Sequence, residues 1–180
     1  MVTIGGNTLD GQRIDIPGAV RVALVVLSDK AASGERADAC LPVMRSSLPA
    51  GCVVVSEEVL ADDRRELESL LKLLCDRGGI DAIFTSGGTG LGLRDITPQA
   101  TLAVADYDVP GIADAMRQHS AVKVPTAILS RAVAAVRKRT LIINLPGSPK
   151  AVRETMAVIA SVLPHAFELL RGSAGEHASS

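Results

Sequence analysis

Residues 20–27, VRVALVVL, are a nearly continuous run of β-branched and aliphatic side chains, and this run decides the class of fold. Such a run is typical of a strand that is buried on both faces of a sheet. Similar segments follow at Cys52–Leu60 (CVVVSEEVL) and Ile80–Thr85 (IDAIFT). Between these segments, the spacing of apolar residues predicts helices over about 37–48 and 64–77. Strands that alternate with helices predict a parallel sheet with helices on both sides.

The second half of the chain extends this pattern. Pro98 opens a further helix, for which Thr97 is the predicted N-cap. Two short apolar segments, 132–136 and 140–144, are separated by Arg137-Lys138-Arg139, which predicts a hairpin with a charged turn. We therefore expect an α/β fold, a three-layer α/β/α sandwich with a mostly parallel sheet and a small hairpin.

The 180 residues suffice for one domain with a sizeable core. We expect this domain to span 19–172, preceded by an N-terminal arm (1–18) and followed by a flexible tail (173–180). Asp10-Gly11 in the arm is suited to a hairpin turn. The last helix, over about 150–170, contains Pro164, so it is expected to kink or to divide into two helices.

Composition excludes several functional classes. The net charge is −1 and aromatic residues are 2% of the chain, which leaves neither a basic surface nor stacking platforms for nucleic acid. Three cysteines without a CxxC pair are expected to be free thiols rather than zinc ligands or disulfides. No run approaches the ~18 apolar residues of a membrane span, and no secretory leader is visible at the N-terminus. We expect a cytoplasmic protein without membrane association.

Four loops follow the carboxyl ends of the predicted strands, at 28–34, 61–63, 86–97 and 146–149. In open parallel sheets, ligands bind in the crevice beyond these ends. The strongest local signal is Ser86-Gly87-Gly88-Thr89-Gly90, because glycines allow close approach of the backbone and exposed N–H groups bind anions. It matches neither a Walker A loop nor GxGxxG, and the string favours phosphate or nucleotide binding over the alternative, a tight turn without a ligand.

Asp62, Asp63 and Asp95 are the candidate acidic ligands. Taken singly, each is explained as a turn or helix-capping residue. However, carboxylates at adjacent strand ends beside a glycine-rich anion site are suited to a Mg²⁺–polyphosphate complex. We therefore expect these groups to meet in one crevice.

Other candidates carry weaker signals. Ser148 and Lys150 stand at a helix start, where anions are favoured, although a plain helix N-terminus is as good an explanation. Ser130 and Arg131 follow the apolar segment 127–129, interpreted as a strand end, and are candidates for a phosphate contact or an ion pair. The scattered histidines have no ligand spacing and are given no catalytic role.

Four strings resemble one known family: LSDKAASGERAD (27–38), FTSGGTGLGLRDITPQAT (84–101), VPTAILSR (124–131) and LIINLPGSPKAV (141–152). They occur in the order found in the molybdopterin adenylyltransferase family (MogA/MoaB-like), which includes the G domain of gephyrin. The resemblance covers about 20–172. It implies an α/β/α sandwich, commonly a homotrimer, and transfer of AMP from ATP to the terminal phosphate of molybdopterin. It further implies Mg²⁺, release of pyrophosphate and a molybdenum-insertion protein as the downstream partner.

The resemblance also assigns roles to residues. Asp62 and Asp95 match catalytic aspartates, and we expect both to hold the metal. The positions that match substrate-binding residues are Ser28, Asp29, Ser86, Gly87, Gly88, Thr89, Gly90, Ser130, Pro146 and Gly147. Three positions depart from the usual family residues: Lys30 replaces Arg, Ala61 replaces Pro, and Cys40 replaces Gly. None of them removes an acidic residue.

Two other functions remain open on the same fold. A non-catalytic pterin-binding or scaffold protein, as some MoaB-like members are, would not need both Asp62 and Asp95. A nucleotide-binding regulator would use the glycine-rich loop without affinity for a pterin. Release of pyrophosphate from ATP in the presence of molybdopterin distinguishes the enzyme from both.

Overall fold

The computed structural model describes residues 18–172. The predicted turn at Asp10-Gly11 and the predicted tail lie outside these residues. The strands are β1 Val20–Leu27, β2 Cys52–Leu60, β3 Ala82–Ser86, β4 Tyr107–Asp108, β5 Ala134–Arg137 and β6 Thr140–Leu145. The helices are α1 Asp29–Ala32, α2 Cys40–Ser46, α3 Arg64–Asp76, α4 Thr97–Val104, α5 Pro110–Lys123, α6 Pro149–Ile159 and α7 Leu163–Arg171, with a 3-10 helix at Pro125–Leu129.

The six strands form one sheet in the order β2-β1-β3-β6-β5-β4. β2, β1, β3 and β6 are parallel, so their carboxyl ends meet at one edge of the sheet. β5 runs antiparallel to β6 and β4 antiparallel to β5. The turn between β5 and β6 is Lys138-Arg139, and Lys138 has φ +54°. The predicted charged hairpin is therefore confirmed.

Alternate side chains of β1 enter two separate cores. Val22, Leu24 and Val26 pack with buried residues of α2, α5, α6 and α7 on one face of the sheet. The intervening residues of β1, such as Val25, pack with α3 and α4 on the other face. Burial of both faces explains why the β1 sequence is apolar without alternation. The three-layer α/β/α prediction is confirmed.

The interrupted C-terminal helix is also confirmed, as two helices. α6 ends at Ile159 and α7 begins at Leu163, with Pro164 in the first turn of α7. A proline is tolerated there because the first N–H groups of a helix have no partner within the helix. The cysteines are free thiols, as expected. Within 18–172, no helix combines the length and apolarity needed to cross a membrane.

Three local predictions were wrong. Residues 127–129 belong to a 3-10 helix, so Ser130 and Arg131 do not follow a strand. The polar loop predicted after β1 contains the one-turn helix α1. Thr97 is not the N-cap of α4: Ile96 occupies that position, and the Thr97 hydroxyl instead donates a hydrogen bond to the carbonyl oxygen of Gly87 at 2.8 Å. The apolar segment 127–129 is too short for its pattern to distinguish a strand from a helical turn.

Candidate active site

A cavity of about 490 Å³ opens at the sheet edge where the parallel strands end. We call it the acidic cavity, since the carboxylates of Asp38, Asp62 and Asp95 line it. The predicted site residues that line it are Ser28, Asp62, Ser86, Gly87, Gly88, Asp95 and Gly147. The structure thus brings the two predicted catalytic aspartates and the glycine-rich turn to one crevice.

The glycine-rich turn is shaped by close backbone contacts that a side chain would block. Gly87 has φ +102°, and a Cβ there would lie 2.3 Å from the carbonyl oxygen of Leu27. Gly88 has φ +64°, and its Cβ would lie 2.5 Å from Thr97 Oγ1. A Cβ on Gly147 would lie 3.3 Å from the Cα of Gly87. Glycines are therefore required for three loops to converge on the cavity.

Asp95 is held in place by its own loop. Its Oδ2 accepts a hydrogen bond from the backbone N–H of Gly92 at 2.7 Å. A Cβ on Gly90 would lie 2.9 Å from the same oxygen, so Gly90 leaves room for this carboxylate. The guanidinium of Arg131 donates to the carbonyl oxygens of Gly90 and Asp95. Arg131 is a candidate phosphate ligand in the sequence. In the structure, its hydrogen bonds stabilise the loop that carries Asp95.

Asp29 and Asp62 are joined by reciprocal hydrogen bonds. The backbone N–H of Asp62 donates to Asp29 Oδ1 at 3.0 Å, and the N–H of Asp29 donates to Asp62 Oδ2 at 3.3 Å. Arg94 binds the Asp29 carboxylate through both Nε (3.0 Å to Oδ2) and a terminal nitrogen. The hydrogen bond from Arg94 is the main cause that lowers the pKa of Asp29. The Asp29 carboxylate is therefore engaged by Arg94 and by the backbone N–H of Asp62, and it holds the backbone of Asp62 in place. It does not line the acidic cavity.

The aspartates that precede α3 have different roles. Asp63 is the N-cap of α3, and its Oδ1 accepts the N–H of Glu66 at 2.9 Å. Asp62 lines the cavity, and burial is the main cause that raises its pKa. Repulsion from the Asp29 and Asp95 carboxylates acts in the same direction. Acidic groups with a perturbed pKa that line a cleft are typical of functional sites.

We expect Asp62→Asn to make the ligand-free protein more stable at pH 7. Because the pKa of Asp62 is raised, the folded state favours the neutral form, and this contribution to stability is complete below the ordinary pKa of 3.8. It is lost as the pH rises through the raised pKa of the folded state. The neutral amide avoids that loss, so the melting temperature should rise slightly.

Thermal melts at pH 7 and pH 4, in a chelator and without nucleotide, measure this effect. The gain should be present at pH 7 and shrink at pH 4. A variant that is less stable than the parent at pH 7 would show that the Asp29–Asp62 hydrogen bonds outweigh the cost of the charge.

A second cavity of about 310 Å³ lies between α5, the 3-10 helix and α6. We call it the apolar cavity, since side chains such as Met116 and Val124 contribute to its wall. Of the predicted site residues, Ser130 and Pro146 lie here and not in the acidic cavity. Ser148 lines both cavities, so the two are adjacent.

Two of the predicted site residues, Thr89 and Ser86, use polar groups for hydrogen bonds within the protein. Thr89 is buried, and its carbonyl oxygen accepts the N–H of Arg131 at 2.9 Å. Ser86 lines the acidic cavity, but its hydroxyl donates to the carbonyl oxygen of Pro146 at 2.8 Å. Both residues contribute to the shape of the loops, and only their position in the glycine-rich string indicated them.

Sequence patterns did not predict the roles of Arg36, Asp38 and Arg94 at this site. Asp38 lies one position before Ala39, the N-cap of α2, and its carboxylate accepts the first N–H groups of the helix, those of Cys40 and Leu41, at 3.1 and 2.6 Å. Arg36 lines the acidic cavity, and Arg94 binds Asp29 across two loops. All three lie in strings that resemble the family, but no local pattern distinguishes them from solvated charges.

Comparisons with known proteins agree with this geometry. The model of a family described as "Probable molybdopterin binding domain" matches residues 23–165. Molybdopterin adenylyltransferase of Escherichia coli K12 is 40% identical over 169 residues, which cover 85% of this chain and 86% of the relative. Among solved structures, the molybdopterin biosynthesis enzyme MoaB of Thermus thermophilus superposes on this chain with a TM-score of 0.80 and 46% sequence identity. The match covers 85% of this chain and 97% of the MoaB chain.

A longer relative contains a related segment. The molybdenum cofactor biosynthesis bifunctional protein of Chlorobaculum tepidum is 33% identical over 153 residues. These cover 84% of this chain but 49% of that protein.

Proposed function

Because this chain belongs to the family of molybdopterin-binding domains, we propose that it is a molybdopterin adenylyltransferase of molybdenum cofactor biosynthesis. The reaction is transfer of AMP from ATP to the terminal phosphate of molybdopterin, with release of pyrophosphate. The observation that carries this proposal is the meeting of Asp62, Asp95 and the turn at Gly87-Gly88 in the acidic cavity.

The chemistry needs alignment and charge neutralisation more than proton transfer. The terminal phosphate of molybdopterin is already an anionic nucleophile, so no general base is required. The site must bring two polyanions together and offset the charge that develops on the departing pyrophosphate. Backbone N–H groups of the glycine-rich turn suit phosphate oxygens, because the turn exposes backbone where side chains are excluded.

The donors in the acidic cavity fit magnesium. Within 18–172 no group of three or more His, Cys, Asp or Glu side chains is arranged to hold a metal. Mg²⁺ is commonly bound by one or two carboxylates together with substrate phosphates, so two aspartates suffice. Asp62 and Asp95 would hold the ion, which would neutralise phosphate charge. Asp29, tied to Arg94 and to the backbone of Asp62, would position Asp62.

The apolar cavity suits the ring system of molybdopterin. It is adjacent to the acidic cavity, and Ser148 lines both. Ser130 and Pro146, which match substrate-binding positions of the family, line it. A ring held there would direct its phosphate toward the aspartates. The loops around both substrates would be shaped by the remaining predicted site residues: Ser28, Ser86, Thr89, Gly90 and Gly147.

We extend the proposal to assembly and partners. Exposed apolar side chains cluster at the end of α5 and on the 3-10 helix: Val122, Val124, Ile128 and Leu129. Such a patch supports self-association, and the resemblance to the family implies that the assembly is a homotrimer. The longer relative is named a bifunctional protein of molybdenum cofactor biosynthesis, which supports a link between this activity and a second step of the same synthesis. We propose that the second step is carried out by a molybdenum-insertion protein, which receives the adenylylated product, and that both act in the cytoplasm.

The direct test is release of pyrophosphate from ATP and Mg²⁺ with and without molybdopterin. We expect release only when molybdopterin is present, with one adenylylated pterin formed for each pyrophosphate. Molybdopterin binding without any release would identify a pterin-binding scaffold. ATP binding without affinity for molybdopterin would identify a nucleotide-binding regulator. Either result would refute the enzymatic proposal.

A further inference from the structure

Arg36 is the one cationic side chain that lines the acidic cavity among the residues that the structure describes. It lies on the segment between α1 and α2, whereas Asp62 follows β2 and Asp95 follows β3. The cavity therefore has the Asp62 and Asp95 carboxylates on two of its loops, and the third segment carries both the Arg36 guanidinium and the Asp38 carboxylate. Such an arrangement can bind a metal and a phosphate group at the same time, each by the opposite charge.

The backbone at Arg36 is anchored on both sides. Its N–H donates to the carbonyl oxygen of Lys30 at 3.0 Å, which ties the segment to the end of α1. Two residues later, the Asp38 carboxylate accepts the first N–H groups of α2, and buried Met44 anchors α2 in the core. The side chain therefore starts from a defined position at the cavity.

The guanidinium of Arg36 is uncommitted, whereas those of its neighbours are bound. Arg94 binds Asp29, and Arg131 binds backbone carbonyl oxygens. Over 18–172, the Arg36 side chain makes no hydrogen bond or ion pair with the protein. The nearby Asp38 carboxylate already accepts the N–H groups of Cys40 and Leu41 at the start of α2. An exposed guanidinium retains its fork of donors for a bidentate anion.

We propose that Arg36 is a substrate-binding residue that holds a phosphate group in the acidic cavity, acting from a different loop than Asp62 and Asp95. This inference rests on the proposed adenylyl transfer. Two sources provide the same chemistry: the terminal phosphates of ATP, which leave as pyrophosphate, and the terminal phosphate of molybdopterin. In either case the guanidinium offsets charge that two aspartates would otherwise repel.

Steady-state kinetics of Arg36→Gln test the proposal. We expect the KM for one substrate to rise about tenfold, because a charge-assisted bidentate contact is lost. Arg36→Lys should recover part of this loss, since it keeps the charge without the fork. The matched control is Arg65→Gln, which changes an exposed arginine on α3 outside the cavity. Thermal melts should show all three variants folded like the parent.

The source of the phosphate follows from which constant changes. A higher KM for ATP together with weaker inhibition by pyrophosphate assigns Arg36 to the ATP phosphates. A higher KM for molybdopterin alone assigns it to the pterin phosphate. If both KM values of Arg36→Gln stay within twofold of those of Arg65→Gln, the inference is wrong.

Failure of the proposed function is distinguishable from failure of this inference. If the parent protein releases no pyrophosphate, the adenylyl-transfer proposal fails, and the Arg36 contact is then measured by calorimetric titration of ATP·Mg²⁺ and of pyrophosphate. Weaker binding to Arg36→Gln than to Arg65→Gln supports a phosphate contact at Arg36. Equal binding overturns it.

Discussion

Asp95→Asn should lower the rate of pyrophosphate release by about 10²–10³-fold while the protein remains folded. The substitution removes one of the two carboxylates of the acidic cavity that no helix cap or ion pair occupies. The amide oxygen can still accept the N–H of Gly92, so the loop should keep its conformation. Molybdopterin binding should persist, because Ser130 and Pro146 line the other cavity. The loss should fall on kcat, measured at saturating ATP and Mg²⁺.

The matched control is Asp63→Asn, which makes the same chemical change 32 positions earlier in the chain, beside Asp62. Asp63 caps α3 and does not line the acidic cavity. Asparagine is as good an N-cap as aspartate, so both stability and activity should change little. Equal activity of Asp95→Asn and the parent would remove Asp95 from the mechanism. Equal loss in the two variants would point to a general effect of charge.

Sequence patterns predicted the layers of the fold but not the function of each polar residue. The β1 run predicts a strand buried on both faces because apolar burial is a property of the segment itself. Sequence patterns cannot tell which of Asp62 and Asp63 caps α3, since both precede the helix and an aspartate at either position is chemically suited to cap it. Only the fold shows that Asp63 caps the helix while Asp62 meets Asp29, 33 positions away in the chain.

Longer-range contacts explain the remaining differences. Thr97 has the residue type and position of an N-cap, but the Gly87 carbonyl oxygen is within reach of its hydroxyl, and the tertiary hydrogen bond forms instead. From the sequence alone, Arg131 is a candidate phosphate ligand. In the fold, its guanidinium instead donates hydrogen bonds to carbonyl oxygens of the loop that carries Asp95. The crevice was predicted because parallel strands end at one edge, which is a property of topology. The division into two cavities depends on how α5 and α6 pack, which local patterns do not determine.

Gly87→Ala should destabilise the protein by about 2 to 4 kcal/mol, the largest effect on stability that we expect from a one-methyl change. Two costs act together. The backbone at Gly87 has φ +102°, a region that alanine rarely adopts, and the new Cβ would lie 2.3 Å from the carbonyl oxygen of Leu27. The Leu27 oxygen belongs to the backbone and the new Cβ is bonded directly to the backbone of its own residue, so no flexible side chain can move aside to relieve the contact. Relief requires β1 and β3 to separate at their carboxyl ends, or the turn to change shape.

Thermal melts should therefore show a fall of roughly 5 to 15 °C for Gly87→Ala. Gly111→Ala is the matched control, because Gly111 lies in α5 without a positive φ, and a Cβ there would have nothing within 4 Å. It should match or slightly exceed the parent, since alanine restricts the unfolded chain. A Gly87→Ala protein that melts with the control would contradict the close approach of this turn to β1. Where the Gly87→Ala protein is destabilised but still folded at low temperature, it should bind ATP·Mg²⁺ more weakly than the parent. The reason is that the strand ends that must separate carry Ser28 and the glycine-rich turn into the acidic cavity.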